Sequence, residues 1–328
     1  CAGVEIAIKA LAWMVRSFDA PVYCYHEIVH NKLVVERFEQ LGVIFVDEIS
    51  EVPEGSPIML SAHGSAPEVV RSARSRGSVV IDSVCPLVTK VHHEVKVRVG
   101  KGFHIVYVGH ECHEEAVGTM AVAPDSISRV ESISEVDALP EFTEPVALLD
   151  QTTLSHRDWA EVAVRVQERF PQVWTPGRSD LCFATTNRQS ALMSMAPRCD
   201  AIIVIGSANS SNTRALERLA REAGCARVFR VNSAHELPSD LSGTVGVTAG
   251  ASAPEELVDA VIARLAPLYG VEEVRITDED EYFPPPRNLR DLQIAIETAI
   301  TAMCGGSLTS RPSVDDRSLG ASYVLASL

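Results

Sequence analysis

No apolar run in this 328-residue chain approaches the ~18 residues that a membrane-spanning helix requires, so no such helix is expected. CxxC pairs are missing too. The 8 cysteines stand apart at Cys1, Cys24, Cys85, Cys112, Cys182, Cys199, Cys225 and Cys304, which argues against a disulfide framework in a chain of this length. Basic charge is scarce. With 29 Lys and Arg against 44 Asp and Glu, the net charge is −15. That balance disfavours nucleic acid or an anionic membrane as partner, because phosphates would meet a repulsive field. An anionic small molecule would need a local site of histidines and backbone N–H groups. The opening Ala2–Phe18 stretch has the apolar look of a signal sequence. Glu5 and Lys9 interrupt it and no small-residue cleavage site follows, so it reads as a helix.

What is present suits a globular protein. Apolar residues make up 46% and charged residues 22%, ample material for a core. The length predicts two or three domains at about 150 residues each. Short, wholly apolar runs alternate with helical patterns, the signature of an α/β fold with parallel sheets covered on both faces. Strands are expected at Val22–Tyr25, Val43–Val46, Ile58–Leu60, Val79–Val84, Phe103–Val108 and Ser128–Val130. Others are expected at Val146–Leu149, Gln172–Trp174, Ala201–Ile205, Val228–Val231, Val245–Thr248 and Val271–Ile276. Between them, Trp159, Val162, Ala163, Val166 and Phe170 share one helix face. Leu216, Leu219, Ala220 and Ala223 share another, with Gly224 as the stop, and Leu257, Val261 and Leu265 line a third that ends at Pro267.

Polar punctuation reveals a threefold internal repeat. First strands end in His30-Asn31, His110-Glu111-Cys112-His113 and Asn209-Ser210-Ser211-Asn212. Third strands end in Ser61-Ala62-His63-Gly64, Gln151-Thr152-Thr153 and Gly250-Ala251-Ser252, and last strands lead to Cys85 and Cys182. The separations agree: 89 residues from 63 to 152, 100 from 152 to 252, and 97 from 85 to 182. Three similar α/β units are expected around one central polar cavity: 1–85, 86–181 and 182–277. Residues 278–304 would form a strap, extended through Asp278–Pro286, and a final helix at Leu292–Met303; 305–328 would be a disordered tail.

Cys1, Cys85 and Cys182 each precede a helix, where unpaired N–H groups favour a thiolate. Three such thiolates suit a metal or an iron–sulfur cluster. His30, His63 and His113 at equivalent strand ends, with hydroxyls at helix starts, would bind phosphate. Ser65 and Ser252 each read as the N-cap of a capping box returned by Glu68 and Glu255. The run Asn209–Thr213 exceeds what one cap requires and favours an anion site. Glu115 beside His113 is either a buried general acid or a surface carboxylate opening a helix.

The segments CAGV at Cys1, HEIVHN, SAHG, CPLVTKVH, GHECHEEAVGT, QTTLS, CFATTNRQ, GSANSSNT and GVTAGASAP occur in order across positions 1–290. In this the chain resembles the 4-hydroxy-3-methylbut-2-enyl diphosphate reductase (LytB) family of the non-mevalonate isoprenoid pathway. The resemblance implies a 4Fe-4S cluster held by Cys1, Cys85 and Cys182 with one iron open, inside a three-unit α/β fold. It implies diphosphate binding by His30, His63, His113, Ser210, Ser211, Asn212 and Ser252. Glu115 takes the proton-delivery position and Thr152 the hydroxyl beside the substrate's alcohol. The implied reaction is a two-electron reductive dehydroxylation giving isopentenyl and dimethylallyl diphosphates. No glycine-rich nucleotide motif is present, so electrons would come from outside, by resemblance from a ferredoxin or flavodoxin, in the cytoplasm.

The chain departs from that pattern in places. The family carries a strand and a P-R-G-F-like turn before its first cysteine, whereas this chain begins at Cys1, so the third sheet is expected to lack a strand. Glu114 and Val117 replace a usual proline and acidic residue, and Cys112 adds a thiol beside His113. Competing readings are a quinolinate synthase-like iron–sulfur dehydratase, a non-catalytic paralogue, and a zinc site made by the three cysteines with Cys112.

Overall fold

The computed structural model describes residues 1–177, 180–277, 281–305 and 316–328. The first unit runs α1 (Ala2–Ser17), β1 (Val22–Tyr25), α2 (Lys32–Gln40), β2 (Val43–Val46), β3 (Pro57–Leu60), α3 (Pro67–Arg76) and β4 (Val79–Asp82). The second runs α4 (Pro86–Gly100), β5 (His104–Val108), α5 (Glu114–Met120), β6 (Ile127–Val130), α6 (Ile133–Ala138), β7 (Val146–Asp150), α7 (His156–Arg169) and β8 (Val173–Trp174). The third contains α8 (Phe183–Met195), β9 (Ala201–Ile205), α9 (Ser211–Glu222), β10 (Val228–Val231), β11 (Val245–Ala249) and α10 (Glu255–Leu265). Two further helices follow, α11 (Arg287–Met303) and α12 (Ala321–Ala326). Among the described residues no helix is long and apolar enough to cross a membrane.

Every strand pairing is parallel, and the three sheets repeat one plan. The orders are β2-β1-β3-β4, β6-β5-β7-β8 and β10-β9-β11. One backbone bond recurs in all three: His26 N–H to Val46 O at 2.9 Å, Gly109 N–H to Val130 O at 3.0 Å and Gly206 N–H to Val231 O at 2.9 Å. The central strands are covered on both faces, as their unbroken apolar runs predict; β7 and β9 are buried along their whole length.

Three sequence expectations change. Val271–Ile276 forms no strand, so the third sheet has three strands among the described residues and the outer side of β11 has no strand beside it. The tail expected to be disordered is ordered over 316–328: α12 packs on α1, the Glu5 carboxylate accepts the Ala321 N–H at 2.6 Å, and Lys9 Nζ lies 3.5 Å from Asp316. Residues 306–315 of that tail, and 278–280 of the strap, lie outside the described residues. Finally, neither Ser65 nor Ser252 caps a helix. Pro67 opens α3 and forces Ala66, the residue before it, into the extended cap position. In the third unit Pro254 is the cap, and Ser252 lies two residues upstream of it.

Candidate active site

Parallel strands deliver their loops to the same edge, so the polar clusters after β1, β3, β5, β7, β9 and β11 lie at their carboxyl ends. The units are stitched there. Ser252 Oγ donates to His30 O at 2.8 Å, Lys32 N–H donates to Ser207 Oγ at 2.8 Å, and Asn209 Nδ2 donates to Glu27 Oε2 at 2.7 Å, all between the first and third units. Within the second unit, Lys90 Nζ meets Asp180 at 3.0 Å. Gly118 of α5 is what brings the second unit against the first: a Cβ there would stand 2.4 Å from Gly64 O, beside His63.

Cys1, Cys85 and Cys182 are the N-cap residues of α1, α4 and α8. All three line one small pocket, closed by Leu87, Phe183 and, from the strap, Glu281 and Phe283. Equivalent bonds hold two of them: Cys85 N–H to Ala62 O at 3.0 Å and Cys182 N–H to Thr152 O at 2.9 Å. Gly3 leaves room for the sulfurs, since a Cβ on it would stand 2.6 Å from Cys85 Sγ. Burial pushes the Cys85 thiol up, against the pull of the Leu87 and Val88 N–H groups, so the helix end alone does not make the expected thiolate. A buried thiol of this kind loses its proton to a metal, and three converging sulfurs fit a metal cluster. Cys112 is exposed, with φ 60°, and does not line this pocket, so the sulfur set is three and not four.

Glu115 lies behind the cysteines, 2% exposed. Thr152 N–H donates to Glu115 Oε1 at 2.7 Å, and Thr152 Oγ1 lies 3.1 Å from Oε2. Burial raises the Glu115 carboxyl from 4.5 to about 8, the Thr152 bonds oppose the rise, and the charges of Asp150 and Asp180 add to it. Glu115 is thus buried rather than a surface carboxylate, and burial favours its protonated form. With Oε1 accepting the backbone N–H, a protonated Glu115 would carry its hydrogen on Oε2, the oxygen that faces Thr152 Oγ1.

The three histidines come together. His30 and His63 stack with ring centroids 3.9 Å apart and 13° between planes, and the His113 ring stands edge-on 5.5 Å from His30. His113 Nδ1 accepts the Glu115 N–H at 3.2 Å, which leaves the proton of the neutral ring on Nε2. Burial, with His63 and His30 nearby, lowers its pKa to about 3. On the third unit, Ser210 caps α9 by accepting the Thr213 N–H. Ser211 and Asn212 are buried at 3% exposure, yet the Ser211 hydroxyl and both Asn212 amide atoms have no hydrogen-bond partner. Buried polar atoms left open at a helix N-terminus fit an anion.

Sequence reasoning recorded Glu114 only as a departure, but it sits in this cluster. Its Oε2 is 2.7 Å from His63 Nδ1 and its Oε1 3.3 Å from His26 Nδ1. His30, His63 and Glu114 offer three donor atoms within 4.8 Å of one another. A metal ion must lie in the plane of each ring that ligates it, and two nearly parallel stacked planes cannot both contain one ion. The group is a set of imidazoles around an internal carboxylate. Asp150 and Asp180, buried beside the Glu115–Thr152 pair, also went unmarked; burial and Asp180 raise Asp150 to about 7.

A family model described as LytB protein matches residues 1–266. The chain is 44% identical over 298 residues to a 4-hydroxy-3-methylbut-2-enyl diphosphate reductase from Rhodopirellula baltica, covering 88% of this chain and 92% of that protein. It is 46% identical over 297 residues to a protein of the same name from Leifsonia xyli subsp. xyli, covering 88% of each. Among solved structures, the E-1-hydroxy-2-methyl-but-2-enyl-4-diphosphate reductase from Plasmodium falciparum superposes with a TM-score of 0.87 at 30% identity, covering 90% of this chain and 96% of that one.

Proposed function

This chain belongs to the LytB family of 4-hydroxy-3-methylbut-2-enyl diphosphate reductases, and from that premise we propose how its own residues divide the work. The reaction is the reductive dehydroxylation of (E)-4-hydroxy-3-methylbut-2-enyl diphosphate to isopentenyl and dimethylallyl diphosphates, in the non-mevalonate isoprenoid pathway. The allylic C–O bond breaks and the oxygen leaves as water with one proton. Two electrons enter and a second proton completes the new C–H bond.

Cys1, Cys85 and Cys182 would hold a 4Fe-4S cluster, a reading carried by their convergence on one pocket from three helix starts. When bound, such a cluster supplies electrons locally and an open iron that acts as a Lewis acid toward the alcohol. The diphosphate is assigned to His30, His63, His113, Ser210, Ser211, Asn212 and Ser252. The open amide and hydroxyl of Asn212 and Ser211 support this most strongly, and the Nε2 proton of His113 adds a donor. Ser252 joins them by turning its hydroxyl from His30 O.

Glu115 is the acid. Its proton on Oε2 passes to Thr152 Oγ1 as the Thr152 proton passes to the substrate, so two hydrogen bonds relay one proton without moving a heavy atom. The surrounding burial keeps water from competing for it. We assign the external electron donor to the ferredoxin or flavodoxin class and the compartment to the cytoplasm. The test is turnover: anaerobically reconstituted protein with a chemically reduced donor converts the hydroxylated diphosphate to its two dehydroxylated products. Substrate recovered unchanged by iron-loaded protein overturns the reading.

A further inference from the structure

A carboxylate inside an anion site demands an account. Glu114 stands at the first position of α5, one residue after His113, with its side chain three-quarters buried against first-unit loops. Its charge would repel a diphosphate unless neutralised. Two imidazoles from two loops do this: His63 Nδ1 at 2.7 Å from the loop after β3, and His26 Nδ1 at 3.3 Å from the loop after β1. His26 is held there in the left-handed region, φ 59°, an uncommon conformation for a side-chain-bearing residue.

The 2.7 Å contact fixes a proton. Oε2 lies off the axis of a linear N–H···O bond, so the contact is a charge–dipole one rather than an aligned hydrogen bond. A bare ring nitrogen would set its lone pair against a carboxylate at that distance; Nδ1 therefore carries hydrogen. In a neutral His63 ring the other nitrogen, Nε2, is then only an acceptor and has nothing to offer a phosphate oxygen. His113 is the opposite case, with Nε2 already a donor when neutral. To bind phosphate, His63 must take up a second proton.

We propose that Glu114 is the counter-ion that lets His63 take up a second proton when diphosphate binds, with His26 as second partner. This rests on the assignment of the cavity to a diphosphate. The imidazolium would lie between two anions, carboxylate and phosphate, where its charge is stabilised from both sides. Other charges face the pair. Burial holds His63 below its ordinary value and the stacked His30 adds to this, while Glu114 and Glu27, the latter tied to Asn209, pull the other way; His113 stands at its edge. Asp47 faces His26, and the Glu114 charge also raises the buried thiol of Cys24 and the phenol of Tyr25. Burial pushes Glu114 up, but His26 and His63 together hold it well below the usual carboxylate range, so it stays ionised throughout.

The experiment compares reconstituted wild type, Glu114→Gln and Glu114→Asp. Calorimetry with inorganic pyrophosphate at pH 7.5, in buffers of different ionisation enthalpy, counts protons; the difference between proteins cancels the ligand's own titration. Wild type should take up about half a proton more than Glu114→Gln, and Glu114→Asp should restore most of it. For turnover, Glu114→Gln should raise KM about tenfold at pH 6 and less than about twofold at pH 8, the effect of about one pKa unit at His63 in the complex, with kcat little changed. Equal proton uptake and a pH-independent KM ratio would reduce Glu114 to a spacer and overturn the proposal. So would folded Glu114→Asp behaving as Glu114→Gln. Wild type that binds pyrophosphate with proton uptake yet never reduces the substrate sinks the functional assignment and leaves this one standing. Wild type that reduces the substrate without proton linkage sinks this one alone. Failure to bind pyrophosphate sinks both.

Discussion

Thr152 contacts both oxygens of Glu115: its backbone N–H donates to Oε1 at 2.7 Å and its hydroxyl lies 3.1 Å from Oε2. The two residues come from the start of α5 and the loop after β7, so the pair spans the mouth of a single sheet. The Thr152 carbonyl also accepts the Cys182 N–H, which ties the pair to the sulfur pocket.

Glu115→Gln should keep the shape and the Thr152 N–H bond but lose the acid. We expect kcat to fall by about 10²–10⁴-fold with iron content unchanged. Unchanged kcat would remove Glu115 from proton delivery.

The same carboxyl sets a pH dependence of stability. Its pKa is raised from 4.5 to about 8, so its contribution is fully present below 4.5 and is lost as pH rises through about 8. Asp150, raised from 3.8 to about 7, acts in the same direction. Urea unfolding should therefore show stability falling from pH 5 to pH 8.5, with a shallower fall in Glu115→Gln. An equal slope in both proteins would contradict the buried, neutral state of Glu115.

Asn212→Ala removes a group that costs the free protein and serves only the ligand. Losing hydrogen bonds to a charged oxygen, about 1.5–3 kcal/mol, should raise KM by about 10- to 100-fold. The ligand-free protein should melt at the same temperature or higher, because its orphaned buried amide is gone. A lower melting temperature would show that Asn212 has a structural partner instead.

Gly118→Ala tests the contact between the first two units. A Cβ at 2.4 Å from Gly64 O must push α5 away from the loop carrying His63. Displacing Glu115 by a fraction of an ångström to an ångström should lower kcat/KM by about 10²-fold in protein that still folds. Near-normal kinetics would mean that the units can slide without cost to the site.

Much of this was legible in the chain because strand ends carry the chemistry. Polar clusters at near-equal spacing marked the six loops that the sheets gather, and Cys85 and Cys182 were found together through that repeat, not through any local motif. What escaped depends on partners distant in sequence. α12 is short and has little to mark it alone; it is held by Glu5, by the neighbouring Lys9–Asp316 pair and by packing on α1. The S-x-x-E boxes misled because proline shifts each helix start downstream of the serine. Asp150 and Asp180 look like ordinary loop acids until burial raises both. Glu114 gave only a mismatch to a family pattern, with no hint that two imidazoles enclose it.

Metal analysis of the purified chain, reconstituted without oxygen, bears most directly on the meeting of Cys1, Cys85 and Cys182. About four irons and four sulfides per chain are expected, with a paramagnetic signal on one-electron reduction, and both should vanish in Cys85→Ser. Zinc in place of iron, or a full iron complement retained by Cys85→Ser, would contradict the account.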